Sequence, residues 1–314
     1  MSAAVPVSTR VSLASHWQPR HLVQSAWTGH APFAAAVVEV LRPDTLVELG
    51  AHMGFSYFAF CETVARLGID TRTVAVDSWE GDEHAGYYGD EVYESVRRIN
   101  EAYASFSTLT RSYFDKALPG FADGSIDLLH IDGRHRFEDV TSEFEAWLPK
   151  MSPRGVMLFH DTNEFKEGFG VHRFWADVES RYPSFHFLHS HGLGVLGVGS
   201  QLDPRVRDMF AILNDSPDAS RAAYESLAGD ITHRAKLEAL PARVRELDRR
   251  ARDIGSELSS ETRHREEAQE RLAQSRRELR AARRALDDVL SSTSWRLTAP
   301  VRALGGLVPR RSRR

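Results

Sequence analysis

Along the first two-thirds of the chain, short apolar runs alternate with amphipathic stretches, and four of the runs finish on polar residues. Residues 45–49 lead through Gly50 into Ala51-His52-Met53-Gly54-Phe55-Ser56. The run at 73–76 ends on Asp77, that at 126–131 on Asp132, and that at 155–159 on His160-Asp161. Short, continuously apolar runs separated by helical patterns read as parallel strands covered on both faces. The pattern predicts helices at 33–41, 57–67, 91–103, 137–148 and 170–182. It predicts further strands at 108–111, 185–189 and 192–199, the last two forming a closing pair. Ligands of such α/β sheets bind beyond the carboxyl ends of the strands. The four polar strand ends therefore belong to one expected site.

The pattern changes near residue 230. With Leu237 at heptad position a, the a seam runs Leu237, Val244, Ala251, Leu258, Arg265, Leu272, Leu279 and Leu286. The d seam runs Leu240, Leu247, Ile254, Glu261, Ala268, Ser275, Ala282 and Val289, so one register is broken only around Glu261–Arg265. This predicts a coiled coil and a homo-oligomer held by it; the other reading is a long solvated helix packed on its own domain. The expected organisation is a lead-in at 1–30, an α/β domain at 31–230, a coiled coil at 231–290 and a basic tail at 291–314. The tail interleaves Trp295, Leu297, Val301, Leu304 and Leu307 with arginines and ends in Arg310-Arg311-Ser312-Arg313-Arg314, a composition that suits peripheral contact with an anionic membrane or docking to a partner protein.

Charge sharpens this division. Residues 231–314 hold 21 Lys/Arg and 12 Asp/Glu, whereas residues 1–230 hold 19 and 32, so an acidic body carries a basic tail. An acidic body offers no patch to neutralise phosphates, which argues against nucleic acid as a partner. The single cysteine, Cys61, excludes an internal disulfide framework and fits a reducing compartment. The N-terminal residues lack the basic-then-apolar pattern of a signal peptide, and no apolar stretch approaches the ~20 residues that span a bilayer. The expectation is a cytoplasmic protein, with peripheral contact at the inner membrane surface left open.

Glu48-Leu49-Gly50 with Gly54 forms a tight strand-to-helix turn that lets backbone approach a ligand. His52 stands where a dinucleotide fingerprint has its second glycine, and no Lys-Ser/Thr pair follows, so neither that fingerprint nor a P-loop is complete. An acidic residue ending the second strand, Asp77, can accept ribose hydroxyls. Together these favour an adenosine cofactor without phosphates, S-adenosylmethionine. Asp132-Gly133-Arg134-His135 places a carboxylate and an imidazole at one mouth; the first suits a hard cation and the second suits general-base work. Structural roles stay open, with Asp132 as a helix cap and His135 as a solvated loop residue. The aromatic, acidic loop at 79–89, containing Trp79, His84, Tyr87 and Tyr88, suits stacking on a sugar ring. Trp27, His30 and His191 are further candidates to reach the pocket.

On the stretches 47–56, 75–89, 125–135, 154–162 and 191–199 the chain resembles class I S-adenosylmethionine-dependent methyltransferases. More narrowly, it resembles a bacterial group that includes macrolide-sugar O-methyltransferases and methyltransferases encoded with polysaccharide-building enzymes. The resemblance covers residues 20–200. It implies a Rossmann-like, doubly wound seven-stranded sheet with a reversed final hairpin. It further implies Glu48, Gly50 and Gly54 at the methionine end of the cofactor, Asp77 at its ribose and Ser78-Trp79 near the adenine. In these relatives the residue matching Asp132 binds a divalent metal and the one matching His135 deprotonates the acceptor hydroxyl. The chain departs from them at His160-Asp161, where metal-dependent members carry two acidic or amide ligands. A metal set of Asp132, His160 and Asp161, taking Mg or Mn, is left open, since histidine suits Mn better than Mg. The expected function is O-methylation of a sugar hydroxyl on a surface polysaccharide or glycosylated metabolite, with His135 as base. The rivals are another chemistry on the same scaffold and a non-catalytic, cofactor-binding assembly subunit whose coiled coil recruits glycosyltransferases.

Overall fold

The computed structural model describes residues 11–82 and 86–297. The chain divides into two compact units, Met1–Pro241 and Ala242–Arg314. Seven strands in the first unit form one sheet: β1 (Thr45–Leu49), β2 (Arg72–Asp77), β3 (Ser107–Arg111), β4 (Ile126–Ile131), β5 (Met151–His160), β6 (Ser184–Phe187) and β7 (Leu193–Gly197). Their spatial order is β3-β2-β1-β4-β5-β7-β6. The first five are mutually parallel, while β7 runs antiparallel to both β5 and β6. This is the Rossmann-like fold of class I methyltransferases, with the order reversing at β1. Side chains alternate across the sheet with period two. Leu46, Leu128, Leu158 and Val195 share one core with α1 (Ala31–Leu41) and α2 (Phe55–Leu67). Val47, Leu49, Leu129 and Phe159 share the other with α4 (Phe137–Trp147) and α5 (Val171–Val178). Helix α3 (Asp90–Asn100) leans its Val96 on a third cluster around Tyr57 and Trp79.

Several elements differ from the sequence pattern. Strand β5 begins at Met151 and stops at His160, which leaves Asp161 outside the ladder with φ +59. Helices α3, α4 and α5 end earlier than the pattern implied because each closes in a 3₁₀ turn. Residues 11–30 are more than a polar lead-in: Trp27 is fully buried in the core, and His21 bonds the carbonyl of Met53 at 3.0 Å. Helix α6 (Pro204–Asp215) lies in a region where the pattern gave no element. Helix α7 (Pro217–Ser291) starts well before residue 230 and carries Pro241 within it. Its early residues Tyr224, Ala228, Ile231 and Ala235 are buried. Val301, Leu304, Leu307, Arg310, Arg311, Arg313 and Arg314 of the tail, and His84 of the aromatic loop, lie outside the described residues. No helix among the described residues is long and apolar enough to cross a membrane.

Candidate active site

The turn after β1 is fixed by close backbone contact. Gly50 has φ +87, and a Cβ there would stand 1.9 Å from the carbonyl oxygen of Asp132. Only glycine lets the β1 end approach the β4 end this closely. Gly54, at φ +81, opens α2 without a side-chain cap, and a Cβ on it would meet the ring of Phe58 at 2.6 Å. Asp77 holds the turn from the neighbouring strand. Its Oδ2 accepts from the backbone N–H groups of Ala51 and His52, both at 2.9 Å, and its Oδ1 accepts from Trp79 N–H at 2.7 Å. A carboxylate offers about four acceptor positions, so three are taken by these backbone N–H groups and one remains.

Glu48 is fully enclosed. Its Oε1 accepts from Ser56 Oγ at 2.6 Å, and its Oε2 lies 3.3 Å from His130 Nδ1. Trp27 Nε1 donates to His130 Nε2 at 3.0 Å, which leaves Nδ1 of a neutral His130 as the protonated nitrogen facing Glu48. Burial raises the Glu48 pKa against the pull of His130 and Ser56. Glu48 thus presents no surface to a ligand here; it supports the turn from beneath. Trp79 is also fully buried, donating to the carbonyl of His52 at 2.9 Å, and Tyr88 stacks on His52 with ring centroids 5.1 Å apart. Ser78 is half-buried and accepts at its carbonyl from Arg111 Nε at 3.2 Å.

The ends of β4 and β5 bring Asp132, His135, His160 and Asp161 together. His135 Nδ1 lies 3.0 Å from Asp161 Oδ2, and its ring stacks on Phe169 with centroids 4.7 Å apart and planes 6° from parallel. His160 Nδ1 lies 3.4 Å from both Asp132 Oδ1 and Asp161 Oδ1, while its Nε2 donates to the carbonyl of Ser190 at 3.1 Å. Burial disfavours charge on His160, yet the two facing carboxylates hold its pKa well above the ordinary imidazole value. Asp132 mirrors this: burial opposes its ionisation, and His160, His130 and His135 hold it far below the usual carboxylate range. His30 packs edge-on against His160 and is pushed the other way, well below its ordinary value, by burial and by the neighbouring imidazoles, His160 first among them. Asp132 does not cap α4, whose N-cap is Arg136.

Among the described residues, Asp132, His135 and Asp161 form a group whose ligand atoms lie within 4.8 Å of one another, so His135 joins the two carboxylates in a set suited to a cation. Of the other candidates, His30 reaches the site through the Ser190 carbonyl at 3.3 Å, and His191 turns to Glu164 at 2.6 Å. Trp27 meets the site indirectly, donating to His130 and packing edge-on against His30. Sequence reasoning missed His130, Phe169, Ser190 and Glu143. Glu143 lies beneath the Asp132–His135 turn, where a Cβ on Gly133 would come within 2.8 Å of its Oε1. Burial and the nearby Asp139 push its carboxyl up to about 8.

Residues 47–162, from the first core strand to just past Asp161, match a family model described as a methyltransferase domain. A curated Sinorhizobium fredii protein, uncharacterized protein y4gI, is 46% identical over 207 residues, which is 66% of this chain. The chain spans only 23% of that relative's length. Among solved structures, the O-methyltransferase TomG from Streptomyces achromogenes, in complex with SAM, is 15% identical with a TM-score of 0.42, covering 63% of this chain and 91% of that one. A putative O-methyltransferase from Klebsiella pneumoniae is 16% identical with a TM-score of 0.42, covering 63% and 92%.

Proposed function

We propose that the chain transfers a methyl group from S-adenosylmethionine to a hydroxyl, with His135 as the general base. The observation that carries this reading is the His135–Asp161 pair at the strand ends. Nδ1–H donation to Asp161 sets the tautomer and leaves Nε2 as the basic nitrogen, the logic of a base held by an orienting carboxylate. Stacking on Phe169 fixes the plane of the ring. The turn fits the cofactor: Gly50 and Gly54 permit close approach, and Asp77 keeps an acceptor position in reserve. The sulfonium supplies an activated methyl group, so the protein needs only to align the acceptor and remove one proton. His160, held cationic between Asp132 and Asp161, offers a fixed positive charge beside the developing alkoxide. The matched methyltransferase-domain model supports the transfer.

A divalent cation is the second reading, and the donor set of Asp132, His135 and Asp161 favours it. These residues would hold the ion, which would polarise the acceptor oxygen as a Lewis acid. Mn suits a set with one imidazole better than Mg. His135 cannot serve as Nδ1 ligand and as donor to Asp161 together, so the two readings differ in outcome. For the acceptor we propose a sugar hydroxyl of a glycan or glycosylated small molecule. Tyr87, 81% exposed, and Tyr88, stacked on the cofactor turn, supply aromatic surface for a ring face. The alternative of a cofactor-binding assembly subunit predicts binding without transfer.

The test is methyl transfer from labelled S-adenosylmethionine into fractionated cell glycans. His135→Ala should lower turnover about 10²–10⁴-fold with cofactor affinity intact by calorimetry. Cofactor binding with no transfer to any fraction would favour the assembly role. Full activity after exhaustive chelation would exclude the metal reading.

A further inference from the structure

Within the second unit, α7 presents an apolar seam to solvent. Val244, Leu247, Ile254, Leu258, Leu272 and Leu279 occupy a and d positions of one heptad register, and each is at least half exposed, from 50% to 65%. A helix that leaves such a stripe uncovered lacks the partner that would bury it. Two charges interrupt the stripe: Glu261 at d and Arg265 at a. We propose that the partner is a second copy of this chain, running antiparallel and aligned about residue 263.

Those two charges select the arrangement. In a parallel, in-register pair each core layer faces its own image, so Glu261 would meet Glu261 and Arg265 would meet Arg265. An antiparallel pair sets a layers against d layers. Alignment about residue 263 then places Glu261 against Arg265 of the second copy, twice, and each buried charge gains an opposite one. The flanking layers become Leu258 with Ala268, Ile254 with Leu272, Ala251 with Ser275 and Leu247 with Leu279, apolar on apolar except for the one small Ala–Ser layer. A slip of one heptad puts Glu261 against Leu258 or Leu272 and Arg265 against Ile254 or Ala268, leaving uncompensated charges in apolar layers. Register and direction are thus both specified by the same two residues. This inference stands apart from the catalytic reading.

Full-length protein carrying single cysteines tests it, because the native Cys61 is buried. At 1.5 Å per residue, the two copies of position 244 would lie about 57 Å apart in the antiparallel pair. Val244→Cys and Ala282→Cys should therefore each stay uncrosslinked under mild oxidation, while the two mixed, or combined in one chain, should give covalent dimers. Sedimentation equilibrium should give a dimer at micromolar concentration. Glu261→Arg should weaken that dimer at least about tenfold, and Glu261→Arg/Arg265→Glu should restore it. A monomer at micromolar concentration, or Val244→Cys crosslinking to itself, would overturn the proposal.

Discussion

At the scale of single residues, the site works by opposing burial with charge. His160 is buried and Asp132 is half-buried, and each keeps its charge because the other faces it. At Glu143 the opposition is weaker: a backbone hydrogen bond from Arg134 and that residue's charge offset its burial only in part. Glu143 Oε2 is buried without a hydrogen-bond partner, and burial pushes the carboxyl up to about 8. A carboxyl whose folded pKa is raised binds its proton more tightly in the native state than in the unfolded chain. Its stabilising contribution is complete below the unfolded value and is lost as pH rises towards 8. Glu143→Gln removes the titration and keeps the shape. The variant should match the parent at pH 4.5 and exceed it in Tm by a margin that grows up to about pH 8. Parallel Tm curves for the two proteins across that range would show that Glu143 is not held neutral. Nothing in the sequence marked this residue, because its environment is made by a turn ten positions away and by the packing of α4.

At the scale of elements, the strand-to-helix turn after β1 depends on Asp77 as much as on its glycines. Three backbone N–H groups share that carboxylate, and each loses its acceptor in Asp77→Ala, at about 1–3 kcal/mol for a buried donor left unpaired. The variant should lose cofactor affinity and also melt several degrees lower. Unchanged Tm with weakened binding would mean that the turn holds itself and Asp77 serves the ligand alone. Gly50→Ala should damage the same turn from the other side, since its Cβ collides with the Asp132 carbonyl. Calorimetry and a Tm shift check both. These elements were legible in the sequence because buried parallel strands are continuous apolar runs with polar ends. The element limits were less legible: 3₁₀ closures and the stop of β5 before Asp161 depend on contacts with other segments. The Trp27–His130–Glu48 relay joins residues as far as 103 positions apart, a distance no local pattern encodes. Helix α6 and the start of α7 were not assigned from the pattern, yet both bury a face in the main core: Val206, Met209, Phe210 and Leu213 from α6, and Tyr224, packed edge-on against Phe33 and Phe187, from α7.

At the scale of the whole molecule, the boundary between the compact unit and the rest of α7 has a measurable consequence. The change in composition near residue 230 suggested a division there, yet Ile231 and Ala235 beyond it are fully buried, and Ile231 belongs to the main core cluster. Thr232 also donates to Thr28 Oγ1 at 3.2 Å, tying α7 to the segment that carries Trp27. Removal of a buried isoleucine side chain alone costs about 2–5 kcal/mol. A chain ending at residue 230 would lose Ile231, Ala235 and the Thr232 contact together, a large share of the stability of an ordinary domain. A chain ending at Pro241 would keep all three. The longer truncation should therefore remain folded and bind S-adenosylmethionine with the affinity of the full chain, whereas the shorter one should melt markedly lower or fail to fold. Circular dichroism melts and calorimetry on the two truncations decide the matter. Equal Tm for both would place the domain end at 230 and make the burial of Ile231 incidental to the fold.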